Sequence, residues 1–226
     1  LYYNTETGWI TGADETVKNV LIPAQIDGVT IVGIDPYAFT RRDSGDGWVR
    51  ENKTLTSVSI PNTVVEIGES AFEQCTALST LRFASGSRLT TIGESAFNEC
   101  SSITSLTIPD SVQNIGGKAF YELGSLKYLT MSGEVDGTTW LGDYWRTLDT
   151  LTLTGTYVLG GTTGENDDYS WTSVPAGRNA RKVILSEGIT KIGDYAFSGC
   201  QGIEQVVLPS SLQSIGACAF RECYSL

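Results

Sequence analysis

The stretch Leu55–Cys75 reads LTSVSIPNTVVEIGESAFEQC, and its pattern decides the fold. Leu55, Val58 and Ile60 are apolar at i, i+3 and i+5, so the last two point to one face of a strand while their neighbours point to the other. Pro61 ends hydrogen-bond donation and turns the chain. Val64 and Ile67, three apart, lead into Gly68, where a glycine permits a sharp bend, and Ala71-Phe72-x-x-Cys75 has the spacing of one short helical turn.

The same unit recurs along the chain. Ile-Gly-x-x-Ala-Phe occurs at Ile67–Phe72, Ile92–Phe97, Ile115–Phe120, Ile192–Phe197 and Ile215–Phe220, with a variant at Ile34–Phe39. Successive Phe residues (Phe39, Phe72, Phe97, Phe120, Phe197, Phe220) are separated by 33, 25, 23, 77 and 23 positions, which gives a basic period of 23 with insertions. The strand triplet recurs at Val17/Val20/Ile22, Leu78/Leu81/Phe83, Ile103/Leu106/Ile108, Leu126/Leu129/Met131, Leu148/Leu151/Leu153, Ala180/Val183/Leu185 and Ile203/Val206/Leu208. It bridges the gap between Phe120 and Phe197, which therefore holds degenerate units. One coil cannot bury its apolar side alone, whereas stacked coils make a continuous core.

Units such as Leu55–Cys75, Ile103–Phe120 and Ile203–Cys223 resemble the BspA-like, or Treponema-type, leucine-rich repeat, over roughly residues 10–226. The resemblance implies a β-dominated α/β leucine-rich-repeat solenoid, right-handed, with a parallel sheet on the concave face and short helical turns on the back. It also implies a bacterial cell-surface or secreted protein, of a kind that often serves in adhesion or in binding host factors. The expected organisation is a single domain over residues 1–226. Residues 1–16 form an N-terminal cap, 40–53 an insertion loop and 133–177 degenerate repeats with an insertion. Leu226 opens another unit, so the C-terminus is expected to lie within a repeat and to leave an apolar end. The first residues, Leu1-Tyr2-Tyr3-Asn4, lack an initiator Met and read as a mature or trimmed start.

Composition excludes several functions. With 26 acidic against 15 basic residues and a net charge of −11, the chain suits neither nucleic acid nor anionic lipid. It has no run of roughly 20 apolar residues of the kind that spans a bilayer, so no membrane insertion is expected. Histidine is absent, which removes Ser-His-Asp and Cys-His catalysis and His-containing zinc sites. Glu69, Glu73, Glu94 and Glu99 fall at variable, solvent-facing repeat positions, a poor setting for a catalytic carboxylate pair. The chain is therefore read as non-enzymatic, and no cofactor is expected.

Candidate binding residues lie at the outward strand positions and in the degenerate stretch. The outward positions are mostly Ser and Thr, with Arg82, Tyr128 and Lys182 as the larger anchors beside Thr130 and Thr152. Between Gly133 and Gly177, Trp140, Trp145 and Trp171 stand among Gly, Thr and Asp, either as exposed rings for a sugar or peptide or as core patches where repeat residues are missing. Asp43-Ser44-Gly45-Asp46-Gly47 and Glu165-Asn166-Asp167-Asp168 follow no EF-hand pattern and read as solvated acidic loops. Cys75, Cys100, Cys200 and Cys223, each three residues after a repeat Phe, read as a column of buried thiols rather than as disulfides or a metal site. Two functions emerge: recognition of a host extracellular protein or glycan, or a spacer joined to further repeats or domains of a parent chain.

Overall fold

The computed structural model describes residues 1–42, 49–135, 148–160 and 180–226. They form two compact units, residues 1–126 and 127–226. Among the described residues every regular element is a strand.

In the first unit each coil has three sides. Its front side is a strand: Asn19–Leu21, Ser57–Ile60 and Thr80–Phe83 pair in parallel, in register Asn19↔Ser57↔Thr80. Ser105–Thr107 is the next front strand. A second side consists of two-residue strands, Gly33–Ile34, Glu66–Ile67, Thr91–Ile92 and Asn114–Ile115, also parallel. Tyr2–Tyr3 folds back antiparallel on Trp9–Gly12, which pairs with Gly33–Ile34, so the expected cap region is a hairpin added to this second sheet. The second unit repeats the plan with front strands Tyr128–Ser132, Thr150–Thr154, Lys182–Leu185 and Gln205–Val207, all parallel. Its short strands are Tyr157–Val158, Lys191–Ile192 and Ser214–Ile215.

The third side carries the Ala-Phe motif, and here the structure differs from the expected helical turn. Ala71, Glu73 and Cys75 donate to Gly68, Ser70 and Phe72, three residues back. The alternate residues Ser70, Phe72 and Gln74 instead donate to Glu94, Ala96 and Asn98 of the following coil, all at 2.8 Å. The next coil does the same, with Ser95, Phe97 and Glu99 donating to Gly117, Ala119 and Tyr121. A helix needs every N–H for its own i−4 carbonyl, and half of these are committed to the neighbour. Ser70 and Gln74 (φ 51° and 56°), like Ser95 and Glu99 (φ 53° and 60°), adopt left-handed backbone that interrupts a right-handed turn. The back is thus a column of consecutive turns.

The core follows from this stacking. Phe72, Phe97, Phe120 and Phe197 are fully buried. Phe39, Phe72, Phe97 and Phe120 stack with centroids 4.7, 5.0 and 5.2 Å apart and planes within 6°, and Phe197 stacks on Phe220 at 5.1 Å. The separation is close to the roughly 4.8 Å between neighbouring strands, so backbone spacing sets ring spacing. In the last coil Leu208 and Ile215 are 47% and 50% exposed.

The repeat glycine serves close approach rather than a bend. A Cβ on Gly93 would meet Glu69 N and Gly68 C at 2.6 Å, and one on Gly116 would meet Glu94 N at 2.4 Å, with no positive φ at either. The insertion in residues 40–53 contains an antiparallel pair, Arg41–Arg42 with Val49–Arg50. Asn52 then stands where later coils have Cys. It is 8% exposed, its Nδ2 donates to Phe39 O at 3.0 Å, and its Oδ1 accepts from Thr54 N and Leu55 N at 3.0 and 3.1 Å.

Two stability predictions follow. Phe97→Ala removes one ring from the middle of the stack and should cost about 3–5 kcal/mol in a denaturant melt. A midpoint unchanged from the parent would contradict the stack. At Glu99, Val should cost about 1–2 kcal/mol because a branched side chain opposes left-handed backbone, whereas Gly should cost nothing net. Equal losses for the two variants in the same melt would show that the turn is not left-handed there.

Candidate functional site

Alternation along a strand sorts each front strand into core and solvent positions. In the second unit Leu129, Leu151 and Val183 are buried, and so are Met131, Leu153 and Leu185. Their neighbours make two outward rows fixed by register. One is Tyr128↔Thr150↔Lys182↔Gln205 and the other is Thr130↔Thr152↔Ile184↔Val207. The sequence-derived candidates Tyr128, Thr130, Thr152 and Lys182 therefore share one face of four adjacent strands. Tyr128 is 51% exposed and Lys182 lies two strands away, roughly 10 Å at the usual interstrand spacing. Beside this face Arg181 grips Glu204 with two bonds of 3.0 and 2.9 Å, an exposed pair that steadies the strand ends but adds little stability.

Arg82 belongs to the first unit, on the Thr80–Phe83 strand with its side chain exposed. The outward positions around it are Leu21, which is 75% exposed, and Ser57, Ser59, Thr80, Ser105 and Thr107. Ser57 Oγ donates to Asn19 Oδ1 at 2.7 Å across two strands. Among the described residues no carboxylate lies within ion-pair reach of Arg82.

Beside Arg82 the front ladder is interrupted, a feature sequence reasoning missed. The coil from Phe72 to Phe97 is 25 residues long, and its two extra residues fall between Phe83 and Leu89. In place of the Pro turn that follows Ile60 and Ile108, the chain runs Ala84-Ser85-Gly86-Ser87, with Gly86 at φ 68°. Thr80–Phe83 is the edge of its sheet, and among the described residues no ladder joins it to Ser105–Thr107. A cleft of about 760 Å³ opens between the two strands, lined among others by Thr80, Arg82, Phe83, Ser87, Thr107 and Asp110. Phe83 is only half-buried, although Ile60 and Ile108 at the same inward position are each 2% exposed. The longer spacing was the visible signal.

Trp140, Trp145 and Trp171 lie outside the described residues, as do Asp43–Gly47 and Glu165–Asp168. Among the described residues no group of three His, Cys, Asp or Glu is placed to hold a metal ion. Cys75, Cys100 and Cys200 are buried and form no disulfide. The Cys100 thiol donates to Phe72 O at 3.2 Å and Cys223 to Phe197 O at 3.2 Å, each reaching the preceding coil. Burial pushes the Cys75 thiol up to about 12 and raises Cys100 well above its ordinary value. Their role is structural.

The coil geometry finds its counterpart among known proteins. The model of the BspA type leucine-rich repeat region matches six copies, over residues 49–140 and 176–226. The chain belongs to the BspA-type leucine-rich-repeat family. Its structure is similar to that of a leucine-rich-repeat protein of T. pallidum, with 25% identity, a TM-score of 0.50, and 92% of this chain and 77% of that one covered. A leucine-rich cell surface protein of Faecalibacterium prausnitzii A2-165 is 27% identical, with a TM-score of 0.43, covering 96% of this chain and 48% of that one. No curated protein matches the chain. Among the described residues no helix is long and apolar enough to cross a membrane.

A thiol-labelling experiment tests the buried column. Dithionitrobenzoate should react rapidly with the exposed Cys218 in the folded protein and with Cys75, Cys100 and Cys200 only after denaturation. Rapid labelling of Cys100 in the native state would contradict its placement.

Proposed function

We propose that this BspA-type leucine-rich-repeat chain is a non-catalytic recognition module of a bacterial cell-surface or secreted protein, using the outward face of its parallel sheets to bind a host extracellular protein or glycan. The reading takes its architecture to be a right-handed solenoid whose front sheet lines the concave side. The observation that carries it is the aligned outward face of the second unit, where the exposed Tyr128 ring and the Lys182 ammonium flank a hydroxyl floor of Thr130, Thr150 and Thr152. Aromatic and cationic side chains supply most of the energy in protein interfaces, and hydroxyls complete the hydrogen bonding. Trp140, Trp145 and Trp171 are the further residues proposed for this role.

A spacer is the second reading, and the composition of the face favours it. Small hydroxylic residues at most outward positions offer little anchoring area. A screen of the purified chain against extracellular-matrix proteins and a glycan array separates the two. Recognition predicts a ligand whose affinity falls at least about tenfold, or about 1.4 kcal/mol, on Tyr128→Ala while the melting temperature holds. No ligand for a protein that melts cooperatively would favour the spacer.

A further inference from the structure

The front of the first unit is a basic island in an acidic chain. Asp and Glu outnumber Lys and Arg by 26 to 15, yet residues 54–65, 74–93 and 100–109 contain neither Asp nor Glu. Those stretches supply the front strands Ser57–Ile60, Thr80–Phe83 and Ser105–Thr107. Arg82 and Arg88 stand in the middle stretch, both exposed, and among the described residues neither has a carboxylate within ion-pair reach. An anion is attracted here although the net charge of −11 repels it elsewhere.

The cleft beside Arg82 gives that island a shape. Thr80–Phe83 and Ser105–Thr107 remain neighbours. The cleft of about 760 Å³ therefore lies over their outward face, walled by the bulge at residues 84–87 and the turn at 109–111. Ser111 Oγ donates to Leu89 O at 2.7 Å, tying that turn to the end of the bulge. We propose that the cleft binds an acidic oligosaccharide, with the carboxylate of a uronic-acid unit on Arg82. This deepens the recognition reading and rests on it. A guanidinium holds a carboxylate through two parallel bonds. Thr80, Ser105 and Thr107 carry hydroxyls that both donate and accept, the match for sugar hydroxyls, which do the same. The half-buried Phe83 ring offers apolar surface to the C–H face of a sugar. Asp110, the one carboxylate lining the cleft, accepts from sugar hydroxyls and so fixes which end of the sugar meets Arg82. The volume falls within the roughly 300–1,000 Å³ of ligand-binding clefts. A free phosphate would leave Phe83 and most of the hydroxyls unused. An acidic peptide would bring few hydroxyls, and the neighbouring strands leave its main chain no room to pair between them.

The test measures three probes on the whole chain by isothermal titration calorimetry: a uronic-acid oligosaccharide, its carboxyl-reduced neutral counterpart, and a sulfate-ester oligosaccharide without carboxylates. The uronic-acid probe should bind, and should lose at least about tenfold in affinity on carboxyl reduction and as much on Arg82→Gln. Lys118→Gln, which removes an exposed cation from the turn column, should leave its affinity unchanged. Deleting Ser85 and Gly86 restores the 23-residue period and should abolish binding. If that deletion does not fold, Arg82→Gln and the neutral probe still decide. The proposal is overturned if the neutral probe binds as well, if Lys118→Gln costs as much as Arg82→Gln, or if only the sulfate ester or an acidic peptide binds in an Arg82-dependent way. Ligands lost on Tyr128→Ala but indifferent to Arg82→Gln would overturn the cleft and leave the recognition reading standing.

Discussion

Backbone hydrogen bonds from one coil to the next are the constraint on which everything else in this protein depends. Except at the interruption beside Arg82, they run on three sides of the coils, through the front strands, the two-residue strands and the turn column. Because all three share one interstrand spacing, each side chain comes to lie on its equivalent in the next coil. The Phe stack, the buried thiols and the glycine column are consequences. A ring at van der Waals distance from the next ring is favourable. A methyl group 2.4–2.6 Å from the neighbouring backbone is not, which is why Gly93 and Gly116 are glycine. The thiols of Cys100 and Cys223 reach back to the carbonyl of the preceding Phe, using the same stacking to satisfy a buried donor.

The same constraint shapes the outward surface. A face built by register is a grid, so its chemistry depends on which residues fall at outward positions of consecutive strands. In the second unit the grid is continuous and carries Tyr128, Thr150 and Lys182 in one row. In the first unit the grid is broken beside Arg82, and the break creates a cavity where a regular coil would offer a flat surface. A flat hydroxylic sheet and an interrupted one expose different groups, the first mainly side-chain hydroxyls and the second the half-buried Phe83 beside Arg82. Loose spacing in one coil thus changes the outward surface while the core residues Leu78, Leu81, Ile103 and Leu106 all stay buried.

Much of the fold was legible because burial leaves a period in the sequence. The Leu55/Val58/Ile60 triplet and its equivalents mark strands whose inward residues are buried, and Tyr128, Thr130, Thr152 and Lys182 were placed on one face by that period alone. The turn column was misread as helical because Ala-Phe-x-x-Cys has helical spacing. Only the hydrogen-bond partners show that alternate amides are spent on the next coil, and those partners lie 22 to 24 residues away, as with Phe97 and Ala119 or Phe72 and Ala96. Gly93 looked like a bend because glycine's need for space leaves no separate mark in the sequence. Asn52 escaped notice because it occupies a Cys position with a polar side chain that works entirely on local backbone. The cleft was announced by a spacing of 25 in place of 23, but a two-residue excess does not say whether it bulges outward or parts the strands.

Residue-resolved amide hydrogen exchange tests the central claim most directly, because it reads the coil-to-coil bonds one at a time. The account predicts strong protection at Phe72, Phe97 and Phe197, whose amides donate to the following coil, and at Thr80, which donates to Thr56. It predicts fast exchange at Leu81 and Phe83, which face the interrupted ladder. Protection of Leu81 and Phe83 equal to that of Thr80, or free exchange at Phe72 and Phe97, would contradict it.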